Sequence, residues 1–271
     1  MKKASMLIFT IWMMLLFSLL ALGIYRMAVA RMQVAKRIEQ IMLSDNAAKA
    51  ACEYMVLQIA NDSTYFDSLE ELKTPVKIEL GVVEMEIYLN DEAAKININT
   101  ASRNNFEKLP GLNDDIAGAI IKARMDQGNF SFIEDLLLLS EISEEKFQKI
   151  KKFITVNNSS KININTAGRV VLAAIGFEDW LIDEIIYYRK GKDGVEATTD
   201  DGKFQDLDKD VLCETLNISS QNWLKHHRAF GQLVCEGGAF EMCVATNVLG
   251  NNVFNYAIIL SEEGVIKWQE M

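Results

Sequence analysis

The chain opens with an apolar run, residues 6–25 (MLIFTIWMMLLFSLLALGIY), that carries neither a charge nor a proline. As a helix it covers roughly 30 Å, the thickness of the hydrocarbon layer of a bilayer. No later stretch approaches it in length, so one membrane span is predicted. A cleaved secretory signal is the alternative: Lys2 and Lys3 give a basic start, and Ala28-Val29-Ala30 imitates a cleavage site. Against it, the run exceeds the ~7–15 apolar residues of a signal peptide, and Arg26 separates it from that site. Orientation stays open, because Arg26, Arg31, Lys36 and Arg37 oppose Lys2 and Lys3.

The helical pattern continues past the span. Val34, Ile38, Ile41, Ala48, Cys52, Met55 and Ile59 recur at helical spacing, and Asn61-Asp62-Ser63 closes the run. One helix of roughly 55 residues is predicted, its first half in lipid and its second half packing one face on a globular domain. Residues 77–80 and 82–89 then alternate apolar and polar around Gly81, with Val83, Met85, Ile87 and Leu89 on one face and a turn signal at Asn90-Asp91.

An internal repeat follows. KININTA at 95–101 recurs at 161–167, and the register continues downstream. Leu109-Pro110-Gly111 parallels Ile175-Gly176, Arg124 parallels Arg189, and a Gly-x-Phe ends each unit at Phe130 and Phe204. Such a match indicates duplication. Each unit reads as a strand exit with an Asn/Thr helix cap, a short helix, a tight glycine turn, a second helix and a third short helix. After Trp223 the pattern returns to strands at 230–236, 240–248, 254–260 and 265–268. The fold class is therefore α+β: a long N-terminal helix on an antiparallel sheet, with a large inserted α-helical domain of two helix-hairpin-helix-like repeats.

Charge narrows the function. The net charge of -10 opposes nucleic-acid binding, which rests on Lys and Arg meeting phosphates. The hairpin turns agree: Asn113 stands where a second glycine would lie, and Asp114, Asp115, Glu178 and Asp179 put negative charge where phosphate would dock. His226 and His227 are adjacent and diverge on a helix, and no GxSxG, HExxH or P-loop occurs, so no enzyme is expected. The four cysteines lack metal spacing; Cys235 and Cys243 either pair in an oxidising compartment or stay as buried thiols. The acidic insertion and its surroundings, with Asp193, Glu196, Asp200, Asp201, Asp206 and Asp208, have the oxygen-rich composition of a calcium loop without EF-hand spacing.

Together the apolar start with Trp12, the long helix, the strand running into KININTA, the paired hairpins and the last strand near Val265-Ile266-Lys267-Trp268 resemble the type II secretion minor pseudopilin K family over essentially the full length. The repeat motif alone is shared with competence-type DNA receptors, so a membrane-anchored helix-hairpin-helix DNA receptor is the alternative. The resemblance implies a pilin-like frame and a leader cut by prepilin peptidase. Aligning Trp12 places the cut between Ala4 and Ser5, with Ser5 the methylated new N-terminus; Ala4 departs from the usual glycine. Phe9 takes the position where most pilins have Glu, as is typical of the K member. The parts implied are a leader (1–4), a transmembrane half-helix (5–25), helix and first strands (26–94), an inserted domain (95–225, repeats 95–156 and 161–222) and C-terminal strands (226–271). The expected role is capping a pseudopilus tip and helping assembly and protein export. The expected setting is the inner membrane, with the globular part periplasmic. Expected partners are other minor pseudopilins through the N-terminal helix, the inner-membrane secretion machinery and secreted cargo. Calcium binding near 191–208 is implied too, with individual ligands unmatched.

Overall fold

The computed structural model describes residues 2–62, 67–250, 252–261 and 264–270; Met1 of the leader and Ser63 of the helix stop lie outside them. Helix α1 (Lys2–Ala60) is unbroken over 59 residues, about 88 Å at 1.5 Å per residue. Its two halves differ in what they touch. Over the apolar span nothing is buried within the chain, whereas Ser44, Ala47, Ala48, Ala51, Cys52 and Met55 are buried against the sheet. These small side chains let the helix lie close to the strands. Ser44 Oγ bonds the hydroxyls of Thr246 and Tyr256 there, satisfying a polar contact that would otherwise be costly.

The stripe expected to pack on the domain starts later than its spacing suggests. Val34, Ile38 and Ile41 are 59%, 52% and 41% exposed, because the sheet does not cover the face of α1 that carries them. Helical periodicity marks an apolar face but cannot say whether the cover comes from the same chain.

A short helix α2 (Leu69–Lys73) leads into β1 (Val76–Leu80) and β2 (Val83–Asp91). Val83, Met85 and Ile87 are buried and Leu89 is partly so, as the alternation predicts. After the inserted helices come β7 (Ala239–Val248), β8 (Asn252–Ser261) and β9 (Gly264–Glu270). One antiparallel sheet joins them in the order β1-β2-β7-β8-β9. Asp91 pairs with Phe240, so the insertion leaves and re-enters the sheet at adjacent points. The expectation that the early hairpin and the late meander share one sheet holds.

Within the insertion, the first repeat runs β3 (Ile96–Asn97), α3 (Arg103–Glu107), α4 (Asp114–Gln127), a 3-10 helix (Ile133–Leu138), α5 (Glu144–Ile150) and β4 (Ile154–Thr155). The second runs β5 (Ile162–Asn163), α6 (Arg169–Ile175), α7 (Asp179–Arg189), α8 (Lys209–Thr215), α9 (Ser220–Phe230) and β6 (Leu233–Val234). Each repeat thus holds two helical hairpins rather than one hairpin and a lone helix. The residues of 230–236 read as a strand are mostly otherwise placed: Phe230 ends α9, and only Leu233–Val234 pairs, in parallel with β5 and outside the main sheet. The boundary at 225/226 accordingly falls inside α9, whose buried His226, Ala229 and Phe230 follow helical spacing. Two cores result, one under α1 and one shared by both repeats.

Candidate assembly surfaces and the repeat junction

The repeated asparagines end short strands, as expected, but they do not cap helices. Ser102 caps α3, and Gly168 precedes α6 without a side-chain cap. Asn97 and Asn163 accept the N–H groups of Asn99 and Asn165, closing a local turn. Asn99 then clamps the backbone of Phe130 through both its N–H and its carbonyl, at 2.8 and 3.0 Å. Asn165 does the same to Phe204, at 2.8 and 2.9 Å. A side-chain amide can donate and accept at once, which is why asparagine suits this tie.

Arginine completes each loop. Arg124 donates to the carbonyls of Ile98 and Ala101, and Arg189 to those of Ile164 and Ala167. Arg189 is almost wholly buried and pairs with Glu196 at 2.7 Å. Burial lowers its pKa, and Glu196 works against that. Three residue types at fixed spacing thus hold one loop twice. The repeat was visible in sequence; the clamp role of its Asn and Arg was not, since it depends on which backbone each side chain reaches.

The frame grips the two repeats through neighbouring carboxylates. Asp91, read from sequence as a turn residue, is the last residue of β2 and is buried. It accepts from Asn163 at 2.8 Å, Thr166 at 2.6 Å and the Ala93 N–H at 2.7 Å. Burial pushes its pKa up, against those donors. Next to it, Glu92 bonds Thr155 of the first repeat and pairs with Lys95 at 2.6 Å. Gly237 completes the joint. A Cβ there would sit 2.4 Å from Asp91 Oδ1, and its N–H bonds Asp67 at 2.5 Å. Burial raises Asp67 to about 7, while that N–H pulls the other way.

At the hairpin turns, Gly111 and Gly176 have φ of 85° and 115°, conformations that glycine adopts without penalty. Acidic side chains stand at the helix N-termini beyond them, although α7 has no side-chain cap. Asn113 caps α4, Asp114 pairs with Arg103, and Arg169 bridges Asp179 and Asp183 of α7. Glu178 takes Lys225 at 2.6 Å. A phosphate approaching either turn meets carboxylates.

The acidic loop is likewise self-contained. Asp200 accepts the N–H groups of Lys192 and Asp193, which with Thr198 lowers its pKa. Asp201 accepts from Ala197, Asp193 from Val195, Asp206 from Asp208 and Asp208 from Asp210. Glu196 serves Arg189. Among the described residues no three His, Cys, Asp or Glu side chains group to hold a metal. A calcium ion needs several carboxylate and carbonyl oxygens converging on one point, so this arrangement does not fit it.

All four cysteines are free thiols, and burial pushes Cys52 and Cys235 up to about 11. His226 lies between Phe177 and Trp180, while exposed His227 bonds the Leu224 carbonyl; the two rings diverge. Ala4 and Ser5 lie in the first turns of α1.

This architecture has a solved counterpart. A chain of the GspK-GspI-GspJ complex from the enterotoxigenic Escherichia coli type 2 secretion system matches with TM-score 0.59, covering 89% of this chain and 99% of that one at 14% identity. The chain has the GspK-type pseudopilin fold. Residues 91–155 match a helix-hairpin-helix motif model. ComE operon protein 1 of Bacillus subtilis (strain 168) is 42% identical over 65 residues, 24% of this chain and 32% of that protein. The endonuclease/exonuclease/phosphatase family domain-containing protein 1 of Danio rerio is 29% identical over 46% of this chain and 26% of its own length. The chain therefore spans a third or less of the length of these curated relatives.

Proposed function

We propose that this protein is a non-enzymatic minor pseudopilin of a type II secretion system, placed at the pseudopilus tip, where it helps assembly and protein export. The observation that carries this reading is the fold likeness over 89% of the chain to a member of a three-protein secretion complex. The geometry of α1 supports it. Beyond the span, Ile38 and Met42 line an apolar patch that the protein's own sheet leaves open. In lipid, association between such helices comes from packing and fit rather than from expulsion of water. The partners are then other minor pseudopilins along α1, the inner-membrane machinery and secreted cargo, with the globular part in the periplasm.

Processing belongs to the same proposal: cleavage between Ala4 and Ser5, and methylation of Ser5. The intact mass of the membrane-extracted protein tests it. Loss of residues 1–4, with or without a methyl group, is expected, together with co-purification of the other minor pseudopilins. A mature chain starting at Arg31 would instead mean a secretory signal and would overturn the anchored reading.

A second reading, a membrane-anchored DNA receptor, draws on the likeness to ComE operon protein 1. The carboxylates at the α4 and α7 N-termini weigh against it. A gel shift at low salt decides, and no retardation is expected.

A further inference from the structure

We infer that the cleft between the two repeats binds an acidic segment of a partner polypeptide. The cleft encloses about 670 Å³, within the ~300–1,000 Å³ range of sites that enclose compact ligands. One wall is α3 of the first repeat, the other is α9 and the end of α6, and β3 and β5 form the floor. The walls are tied together. Asn105 donates to the Ala174 carbonyl at 2.8 Å across the repeats, and within the second wall Gln232 donates to that of Ile175 at 3.3 Å. The site is thus preformed, so a ligand entering it pays little for ordering the protein.

Its charge is opposite to that of the rest of the chain. The protein has 38 Asp and Glu residues, yet none is among those lining this cleft. Lys108, Lys225 and Arg228 do line it. Lys225 pairs with Glu178, whereas Lys108 and Arg228 pair with no carboxylate among the described residues. Side-chain amides and hydroxyls of Asn104 and Ser160 complete the rim. Two cations without a carboxylate partner, one on each wall of the cleft, favour carboxylates of a short extended segment. A long polyanion is disfavoured, because the carboxylates of the hairpin turns and the net charge of -10 repel it beyond the cleft.

This inference goes beyond the pseudopilin reading and can fail separately from it: peptide binding does not require a filament, and assembly does not require this cleft. The test is fluorescence anisotropy of a labelled hexaglutamate peptide against the full chain in detergent, at low and moderate salt. Binding that weakens with salt is expected, reduced about tenfold or more, roughly 1.4 kcal/mol per decade, by Lys108→Glu with Arg228→Glu. Lys122→Glu on the exposed face of α4 should leave it unchanged. The neutral pair Lys108→Gln and Arg228→Gln should give a smaller loss, and it decides the matter if the reversed pair does not fold. Absence of peptide binding, equal loss with Lys122→Glu, or tighter binding of a single-stranded oligonucleotide would each overturn the proposal.

Discussion

The two repeats share a sequence signature but not a position in the molecule, and the comparison separates what the motif does from what its setting does. In both, an asparagine clamps a Gly-x-Phe backbone and an arginine holds the loop carbonyls. In the second repeat the same groups are buried and extended into the frame. Thr166 bonds Asp91, whereas its counterpart Thr100 is exposed. Asn165 adds a bond to the Cys235 carbonyl, and Arg189 gains Glu196. The motif folds a loop; the second copy also bolts the inserted domain to the sheet.

Substitutions at matched positions should break this symmetry. The largest difference is expected at the arginines. Arg189→Ala leaves Glu196 and two buried carbonyls without their donor and should cost about 3 kcal/mol. Arg124→Ala, in a half-buried place, should cost about 1 kcal/mol. Chemical denaturation of the two variants measures the gap, and equal losses would refute the idea that the second motif copy is the more deeply anchored. Next come the asparagines: Asn165→Ala should cost about 2 kcal/mol and Asn99→Ala about 1 kcal/mol, because only the former is fully buried.

A further effect comes from pH at the junction. Asp67 titrates near 7 when folded and near 3.8 otherwise. Its folded pKa is raised, so its contribution is complete below 3.8 and is lost as pH rises through about 7. Asp67→Asn should flatten this part of the melting profile, with wild type losing ground to the variant as pH rises. A profile of unchanged slope would show that the carboxyl is not held by burial. The smallest expected effect is that of calcium. Calcium and chelator should leave the melting temperature alike, since N–H donors already occupy the acidic loop of the second repeat. A clear rise with calcium would show that the loop rearranges around an ion, a further asymmetry between the repeats.

Much of the architecture was legible in the sequence for reasons of period and repetition. The helix of α1, the alternation from Val83 to Leu89 and the doubled KININTA each carry their own geometric signature. What stayed hidden depends on distant partners. His226, Ala229 and Phe230 read as part of a return to strands, although they face a core built from both repeats. Val34, Ile38 and Ile41 have the spacing of a packed face but lie on a side of α1 that the sheet leaves uncovered. Asp91 had the look of a surface turn because aspartate usually is one; only the fold brings Asn163 and Thr166 to it. The six acidic residues of the loop region were conspicuous by composition, yet they bond neighbouring N–H groups and Arg189 rather than converge on one point.

The adjacent exit and return of the chain at Asp91 and Phe240 have a mechanical consequence. Force applied along α1 passes into the sheet through the contacts of Ser44 to Met55 and leaves through the same five strands. The inserted domain hangs from one end of that path and is not in series with it. A subunit pushed or pulled by its helix can therefore bear load while the repeats, and the cleft between them, keep their shape.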